Sequence, residues 1–173
     1  MILKGFKEKS NEKYLNKLLS ERHVNISDDA VISLGVVFNV DEVDKAELFY
    51  KLAEYIQVKE NRVKIIAFSE SKKEIISNWE ECYNANDFGW NGTIKNSGLE
   101  TFLDTKFDVL ISFYERELLE LKIITARSKA KFKIGIMQSD ERVNDLIVKT
   151  SLNEFHLFKE EVFKYLKILK KIK

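Results

Sequence analysis

The chain has 173 residues, of which 45% are hydrophobic and 33% charged, and its net charge is +1 at pH 7, a composition typical of soluble globular proteins. No segment approaches the roughly 18 uninterrupted apolar residues of a membrane span, and only three apolar residues precede the first polar ones, too few for a secretory signal. A single cysteine, Cys82, excludes an intramolecular disulfide framework, so we expect a cytoplasmic protein.

Hydrophobic periodicity predicts an amino-terminal helix over residues 9–22, with Ser10 as its cap and Leu15 and Leu19 on its apolar stripe. The later elements, in chain order, are predicted as a strand at 31–38, a helix at 42–56, a strand at 62–68, a short helix around 71–77, a short strand at 92–94, a helix from Ser97 to Leu103, a strand at 107–113, a helix at 115–127, strands at 132–136 and 146–148, and a helix that begins near Asn153.

Strands that alternate with helices predict a mostly parallel sheet of about five strands with helices on both faces. We expect a single α/β domain over residues 1–173, in which residues 1–23 form an amphipathic helix and residues 24–173 the sheet-and-helix core.

Several segments resemble an uncharacterised bacterial family that is known only as a domain of unknown function. They are LGVVFNVDE (34–42), KIIAF (64–68), DFGWNGTIKN (87–96), TKFDVLISFYERELLELKIITARSKAKFKIGI (105–136), NDLIVKT (144–150) and KYLKIL (164–169). This resemblance implies a fold and a cytoplasmic setting, and it implies no activity and no catalytic residues.

Residues 105–136 are also similar to the amino-terminal Rossmann-like half of heptosyltransferase-type glycosyltransferases. In that pattern Asp108 opens an apolar strand, and Lys133 and Gly135 lie in the strand after the helix. The similarity implies a Rossmann-like three-layer architecture for this part of the chain.

Polar side chains are expected beyond the carboxyl ends of the strands, where ligands bind to open parallel sheets. The candidate pocket residues are Asn39, Ser69, Ser112, Tyr114, Gln138, Asp140 and Arg142. The alternative is that these residues only form the turns that end strands. No glycine follows the first three long strands, and Glu115 and Glu117 would repel a phosphate at the start of the 115–127 helix, so residues 106–136 are interpreted as architecture.

Signatures of catalysis and metal binding are missing from the sequence. There is no G-x-S-x-G elbow, and His23 and His156 are the only histidines. Cys82 is interpreted as a small core residue and not as a nucleophile. We therefore predict no catalytic residue, no metal site and no cofactor, and the sequence favours a protein without enzymatic activity.

An interaction surface is predicted from aromatic and basic residues. Trp79, Phe88 and Trp90 lie in or near the turn-rich segment 84–98, where they either contact a partner or pack beneath the loop. Residues 121–133 contain five basic and no acidic residues, and Arg127, Lys129 and Lys131 complete the candidate surface.

These features favour a non-enzymatic module that binds another macromolecule, with a protein as the favoured partner. One alternative is a binding protein or enzyme for a nucleotide or sugar derivative at the strand ends. Another is an RNA- or ribosome-associated factor, which is not favoured because only Phe132 is interleaved with the basic residues.

Overall fold

Six parallel strands form one sheet in the computed structural model of the chain, which describes residues 2–24, 27, 29–71 and 81–173. In the order β3-β2-β1-β4-β5-β6, the strands are β1 (Leu34–Asn39), β2 (Val63–Phe68), β3 (Cys82–Tyr83), β4 (Val109–Phe113), β5 (Phe132–Ile136) and β6 (Leu146–Val148). The helices are α1 (Ile2–Ser20), α2 (Glu47–Tyr55), α3 (Ser97–Asp104), α4 (Leu119–Arg127) and α5 (Phe155–Ile168).

Helices cover both faces of this sheet, because alternate residues of each strand point to opposite faces. Val36 and Ile111 face the layer formed by α2 and α5, whereas Val37 and Leu110 face the layer formed by α1, α3 and α4. Residues of β1 and β4 are buried throughout. The predicted three-layer, Rossmann-like α/β fold with a parallel sheet is thereby confirmed.

The strand order places a switch point between β1 and β4. Chain connections leave β1 toward β2 on one side and leave β4 toward β5 on the other, as in dinucleotide-binding sheets. The loops after Asn39 and Phe113 therefore flank the position where a Rossmann-like fold binds its ligand.

Asp108 joins the start of β4 to the segment that leads into β1. Its Oδ2 accepts hydrogen bonds from the backbone N–H groups of Ile32 (3.1 Å) and Ser33 (3.0 Å) and from the Ser33 hydroxyl (2.8 Å). Its Oδ1 accepts a hydrogen bond from Lys131 Nζ at 2.8 Å. The carboxylate thus fixes the amino ends of the two central strands, although the sequence alone suggested only a strand signature.

Several predicted boundaries are wrong at specific residues. Helix α1 begins at Ile2, so Ser10 lies within the helix and is not its cap. Helix α4 begins at Leu119 and not at Glu115. Residues 92–94 form no strand, and Ile94 makes only an isolated antiparallel bridge to Phe88.

The sequence defines the segments around β3 and around residues 71–77 only weakly. The short strand β3 was not predicted, and residues 72–77 of the helix expected around 71–77 lie outside the described residues. Within the described part of the chain, no helix combines the length and the apolar character required to cross a membrane.

Candidate functional site

The predicted pocket residues do not line one open pocket. Asn39, Ser112 and Tyr114 are completely buried, and Ser69 and Gln138 are almost so. Burial raises the pKa of the Tyr114 hydroxyl above its ordinary value, and this hydroxyl lies 2.9 Å from Thr125 Oγ1 beneath α4. These side chains are therefore mainly part of the packed interior at the end of the sheet.

A buried hydrogen-bond chain connects three polar residues near the ends of β4, β5 and β6. The Ser112 hydroxyl donates to Asn144 Oδ1 at 2.9 Å, and Asn144 Nδ2 donates to Gln138 Oε1 at 2.7 Å. Two of its members were predicted as ligand residues, and the structure gives both a structural partner. Asp140 and Arg142 instead form an ion pair with each other at 2.7 Å, with Arg142 exposed.

Carboxylates connect the loops on either side of the switch point. The Glu42 carboxylate accepts hydrogen bonds from the backbone N–H groups of Glu115 (3.2 Å) and Arg116 (2.9 Å). Burial raises the pKa of Glu42, and the two backbone hydrogen bonds oppose this rise. The crevice between β1 and β4 is thus bridged by an acidic side chain of the protein.

The neighbouring loops repeat this arrangement. Asp41 accepts hydrogen bonds from the Ser69 hydroxyl and the Glu70 N–H, both at 2.8 Å. Glu117 accepts from the Ser139 N–H at 2.5 Å, and Glu115 accepts from the Leu152 N–H at 3.0 Å. Backbone N–H groups in such loops are the groups that bind phosphate in nucleotide-binding proteins. With the Glu115 and Arg116 N–H groups included, the protein's own carboxylates occupy five backbone N–H groups at this edge.

Two buried amide donors at the same edge have no hydrogen bond of normal geometry to the described residues, although the Gln138 side chain lies close enough to the Tyr114 hydroxyl to oppose the rise in the pKa of Tyr114. They are Asn39 Nδ2, at the last residue of β1, and Gln138 Nε2, two residues after β5. Asn39 Oδ1 is used by the backbone N–H of Asp41 at 3.0 Å. These buried donors are the members of the predicted pocket whose hydrogen-bonding capacity the described residues do not fully use.

The aromatic residues of the predicted interaction surface have different environments. Phe88 is fully buried and packs edge-on against Phe68, with ring centroids 6.4 Å apart, so its predicted place on the surface is wrong. Trp90 is 48% exposed. Trp79 lies outside the described residues.

The loop that carries Trp90 is closed by short backbone contacts. The Gly89 N–H donates to the Thr93 carbonyl at 2.6 Å, and the Thr93 N–H donates to the Trp90 carbonyl at 3.0 Å. Asn91 and Gly92 have φ angles of 52° and 68°, which are left-handed conformations. This tight turn projects Trp90 outward while Phe88 packs inward.

Helix α1 holds the turn in place. The buried Asn11 side chain donates from Nδ2 to the Gly89 carbonyl (3.1 Å) and accepts from the Gly92 N–H (2.9 Å). The Ser10 hydroxyl donates to Asn91 Oδ1 at 2.6 Å. A Cβ atom on Gly92 would lie 2.0 Å from the Tyr14 ring, so this position requires glycine. The sequence did not indicate this docking, although Ser10 and Asn11 are unusual polar residues within a helix.

Two apolar side chains of α1 are exposed on the side of the helix that meets this turn. Leu3 is 74% and Phe6 58% exposed. Leu3, Phe6 and Ser10 are spaced i, i+3 and i+7, so they align along one side of α1, and Ser10 contacts the residue after Trp90. We call Leu3, Phe6 and Trp90 the Trp90 patch.

The basic residues of the predicted surface have acidic partners within the chain. Arg127 pairs with Glu100 and also donates to the Gly92 carbonyl at 3.1 Å. Lys129 pairs with Asp104 at 2.7 Å. Lys131 pairs with Asp108 at 2.8 Å. These three residues are therefore electrically compensated, which local sequence could not indicate because the acids come from residues 100–108.

Comparison with known families adds one assignment. The family of unknown function DUF6913 matches residues 7–169, which is nearly the whole chain. The chain belongs to the DUF6913 family. No curated protein matches it. The resemblance to a domain of unknown function is thus confirmed, whereas the similarity of residues 105–136 to heptosyltransferases remains a prediction.

The described residues of this DUF6913 protein provide little support for a reactive centre or a metal site. Burial raises the pKa of the half-buried Cys82 thiol, and the nearby Asp41 and Asp87 carboxylates raise it further, so the reactive thiolate is disfavoured. Among the described residues, no group of three or more His, Cys, Asp or Glu side chains is arranged to hold a metal ion.

Proposed function

We propose that this DUF6913 protein is a cytoplasmic, non-enzymatic module that binds another protein through the Trp90 patch. The observation that carries this proposal is the half-exposed Trp90 on a turn that Ser10 and Asn11 hold against α1. An exposed tryptophan on a fixed backbone gives a large contact area at a small entropic cost on binding. Leu3 and Phe6 extend this area along the helix.

The charge of α1 indicates the chemistry of the partner. The helix contains five lysines and two glutamates, so the apolar patch lies on a basic helix. Interfaces commonly combine an apolar centre with a charged rim, and complementary charge increases the rate of association. We therefore infer a partner surface with an apolar pocket and an acidic rim.

Affinity purification from the native host at low salt tests the proposal. With a tag at the carboxyl terminus, Trp90→Ala is expected to weaken binding of the captured partner by about 10- to 30-fold, the effect of losing an interface hot spot. The melting temperature should stay unchanged because the Trp90 side chain is not part of the core.

Matched variants identify the surface. Phe6→Ala should lose the same partner, whereas Tyr50→Ala, which removes a 42% exposed aromatic residue from α2, should retain it. Recovery of the partner with Trp90→Ala at the wild-type level would contradict the proposal, as would wild-type protein that is consistently purified without a partner.

A second candidate function is the binding of a small ligand at the carboxyl ends of the strands. The buried Asn39 Nδ2 donor, which has no hydrogen-bond partner among the described residues, favours it. Neutral nucleosides and sugars are then expected to raise the melting temperature, since a ligand of the native state stabilises it. A screen of these compounds by thermal melting in which no compound produces a shift would exclude this candidate for that ligand class.

RNA binding receives less support from the described residues. Arg127, Lys129 and Lys131 each have a carboxylate partner, which a phosphate would have to displace. We therefore favour a protein partner over a nucleic acid.

A further inference from the structure

A small cavity lies near the amino end of β5, at the opposite edge of the sheet from the strand carboxyl ends. It has a volume of about 200 Å³ and lies between the segment after α1 and the turn that joins α4 to β5. Arg22, Lys131, Lys133 and Asp145 contribute its charged side chains, and His23 also lines it. None of these residues belongs to the predicted ligand pocket or to the Trp90 patch, and only Lys131 belongs to the predicted basic surface.

Lys133 is the most unusual group in this cavity. Its side chain belongs to a residue that is only 4% exposed, and its Nζ donates a hydrogen bond to the Ala126 carbonyl at 2.9 Å. No carboxylate forms an ion pair with it among residues 2–24, 27, 29–71 and 81–173, which are the residues that the structure describes. A buried ammonium group that has a neutral acceptor but no anionic partner is energetically unfavourable.

The surrounding charges increase this cost. Burial, followed by repulsion from Arg22, lowers the pKa of Lys133 to about 8, and Asp145 opposes this decrease. Asp145 cannot serve Lys133 Nζ fully, because its Oδ1 pairs with Arg22 and its Oδ2 accepts the Lys133 backbone N–H at 2.7 Å. Lys131 pairs with both Asp108 and Asp29, and the Arg22 guanidinium also donates to the Arg142 carbonyl. The cavity therefore contains more positive than negative charge.

The size and charge of the cavity specify a class of ligand. A volume of about 200 Å³ is below the range of pockets for drug-sized molecules, about 300–1,000 Å³, so a nucleotide does not fit. A single tetrahedral oxyanion does fit. Guanidinium and ammonium groups are the usual side-chain donors to such anions.

We propose that this cavity binds a tetrahedral oxyanion of the phosphate class, with Lys133 Nζ and the Arg22 guanidinium as its main donors. The anion supplies the negative charge that Lys133 lacks, and it fastens the end of α1 to β5. The site is independent of the proposed protein interaction.

Thermal melting in inorganic phosphate, compared with chloride at equal ionic strength, tests the site. Phosphate at a hundredfold excess over its Kd is expected to raise the melting temperature of the wild-type protein by about 5–10 °C. Lys133→Met should abolish this rise and fold normally, since it replaces a buried charge with an apolar side chain of similar length. Lys129→Met is the matched control and should keep the rise, because Lys129 pairs with the exposed Asp104 outside the cavity.

A second measurement does not depend on any variant. In a nuclear magnetic resonance titration of the wild-type protein, phosphate should raise the pKa of the Lys133 amine, whereas chloride should not.

Asp28→Asn should also keep the phosphate-dependent melting shift. Asp28 is outside the described residues, and loss of the shift in this variant would contradict the assignment to Lys133 and Arg22.

A third melting experiment, with a phosphomonoester in place of inorganic phosphate, identifies the source of the anion. If a phosphomonoester such as glycerol phosphate stabilises the protein as well as inorganic phosphate does, the site accepts the phosphoryl group of a larger molecule; if only inorganic phosphate does so, it binds the free anion. Absence of any phosphate effect in the wild-type protein would overturn the proposal, and so would an equal effect in Lys133→Met.

Discussion

Gly135→Ala is expected to lower the free energy of unfolding by about 2–4 kcal/mol. A Cβ atom at this position would lie 2.3 Å from Asn144 Nδ2 and 2.9 Å from Ser112 Oγ. Ser112 and Asn144 are themselves buried, so neither can move into solvent to make room for a methyl group. The methyl group must therefore break the buried hydrogen-bond chain of Ser112, Asn144 and Gln138 or displace β5 within the sheet.

Urea unfolding measures this change, and the expected decrease in melting temperature is roughly 4–16 °C for a chain of this length. Gly5→Ala is the matched control, since a Cβ atom there meets no atom within 4 Å and alanine favours the helix. It should raise stability by about 0.5 kcal/mol. A change of less than about 0.5 kcal/mol in Gly135→Ala, the range of a neutral surface substitution, would show that the buried chain is not a fixed part of the native state.

Asp108→Asn is expected to lower stability by about 2–3 kcal/mol at pH 7. Three hydrogen bonds converge on Asp108 Oδ2, and Lys131 Nζ donates to Oδ1. An amide has only one acceptor oxygen, so it must turn an NH₂ group toward donors on one side. Asp104→Asn is the control, because Asp104 is exposed and pairs only with Lys129, and we expect little change.

The same variant has a defined pH dependence. Burial raises the pKa of Asp108, but the hydrogen bonds from Lys131, Ser33 and Ile32 outweigh burial and hold this pKa below its ordinary value. The native state therefore binds this proton more weakly than the unfolded state does. The stability advantage of the wild type should be complete above about pH 4 and should disappear as the pH falls through the native pKa. Urea unfolding between pH 2 and pH 7 measures the difference, and an advantage that grows on acidification would contradict this assignment.

The layered fold was predictable because its signals are local. The runs at 132–136 and 146–148 are apolar and flanked by polar turns, and their predicted bounds match β5 and β6. Residues 115–118 illustrate the limit. Glu115 and Glu117 favour the first turn of a helix, but their carboxylates bind the N–H groups of Leu152 and Ser139, so α4 begins only at Leu119.

The candidate sites were less predictable because they depend on contacts between distant residues. Phe88 and Trp90 belong to the same turn-rich segment, yet Phe88 is buried against β2 and Trp90 is exposed. The difference arises from the turn at Asn91 and Gly92, which α1 fixes from about 80 residues away in sequence. Similarly, the sequence places Lys133 in a predicted strand but does not show that its side chain is buried, which follows from the position of β5 between β4 and β6.

The acidic contacts across the switch point have a consequence for how this fold can diversify. A Rossmann-like sheet is usually thought to acquire a phosphate site by gaining glycines or basic residues. In this protein the Glu115 and Arg116 amides already converge on one acceptor, and that acceptor is the Glu42 carboxylate. The Glu42 side chain therefore competes with any phosphate group for these two N–H groups. The first evolutionary step toward nucleotide binding on this scaffold is therefore the loss of an acid.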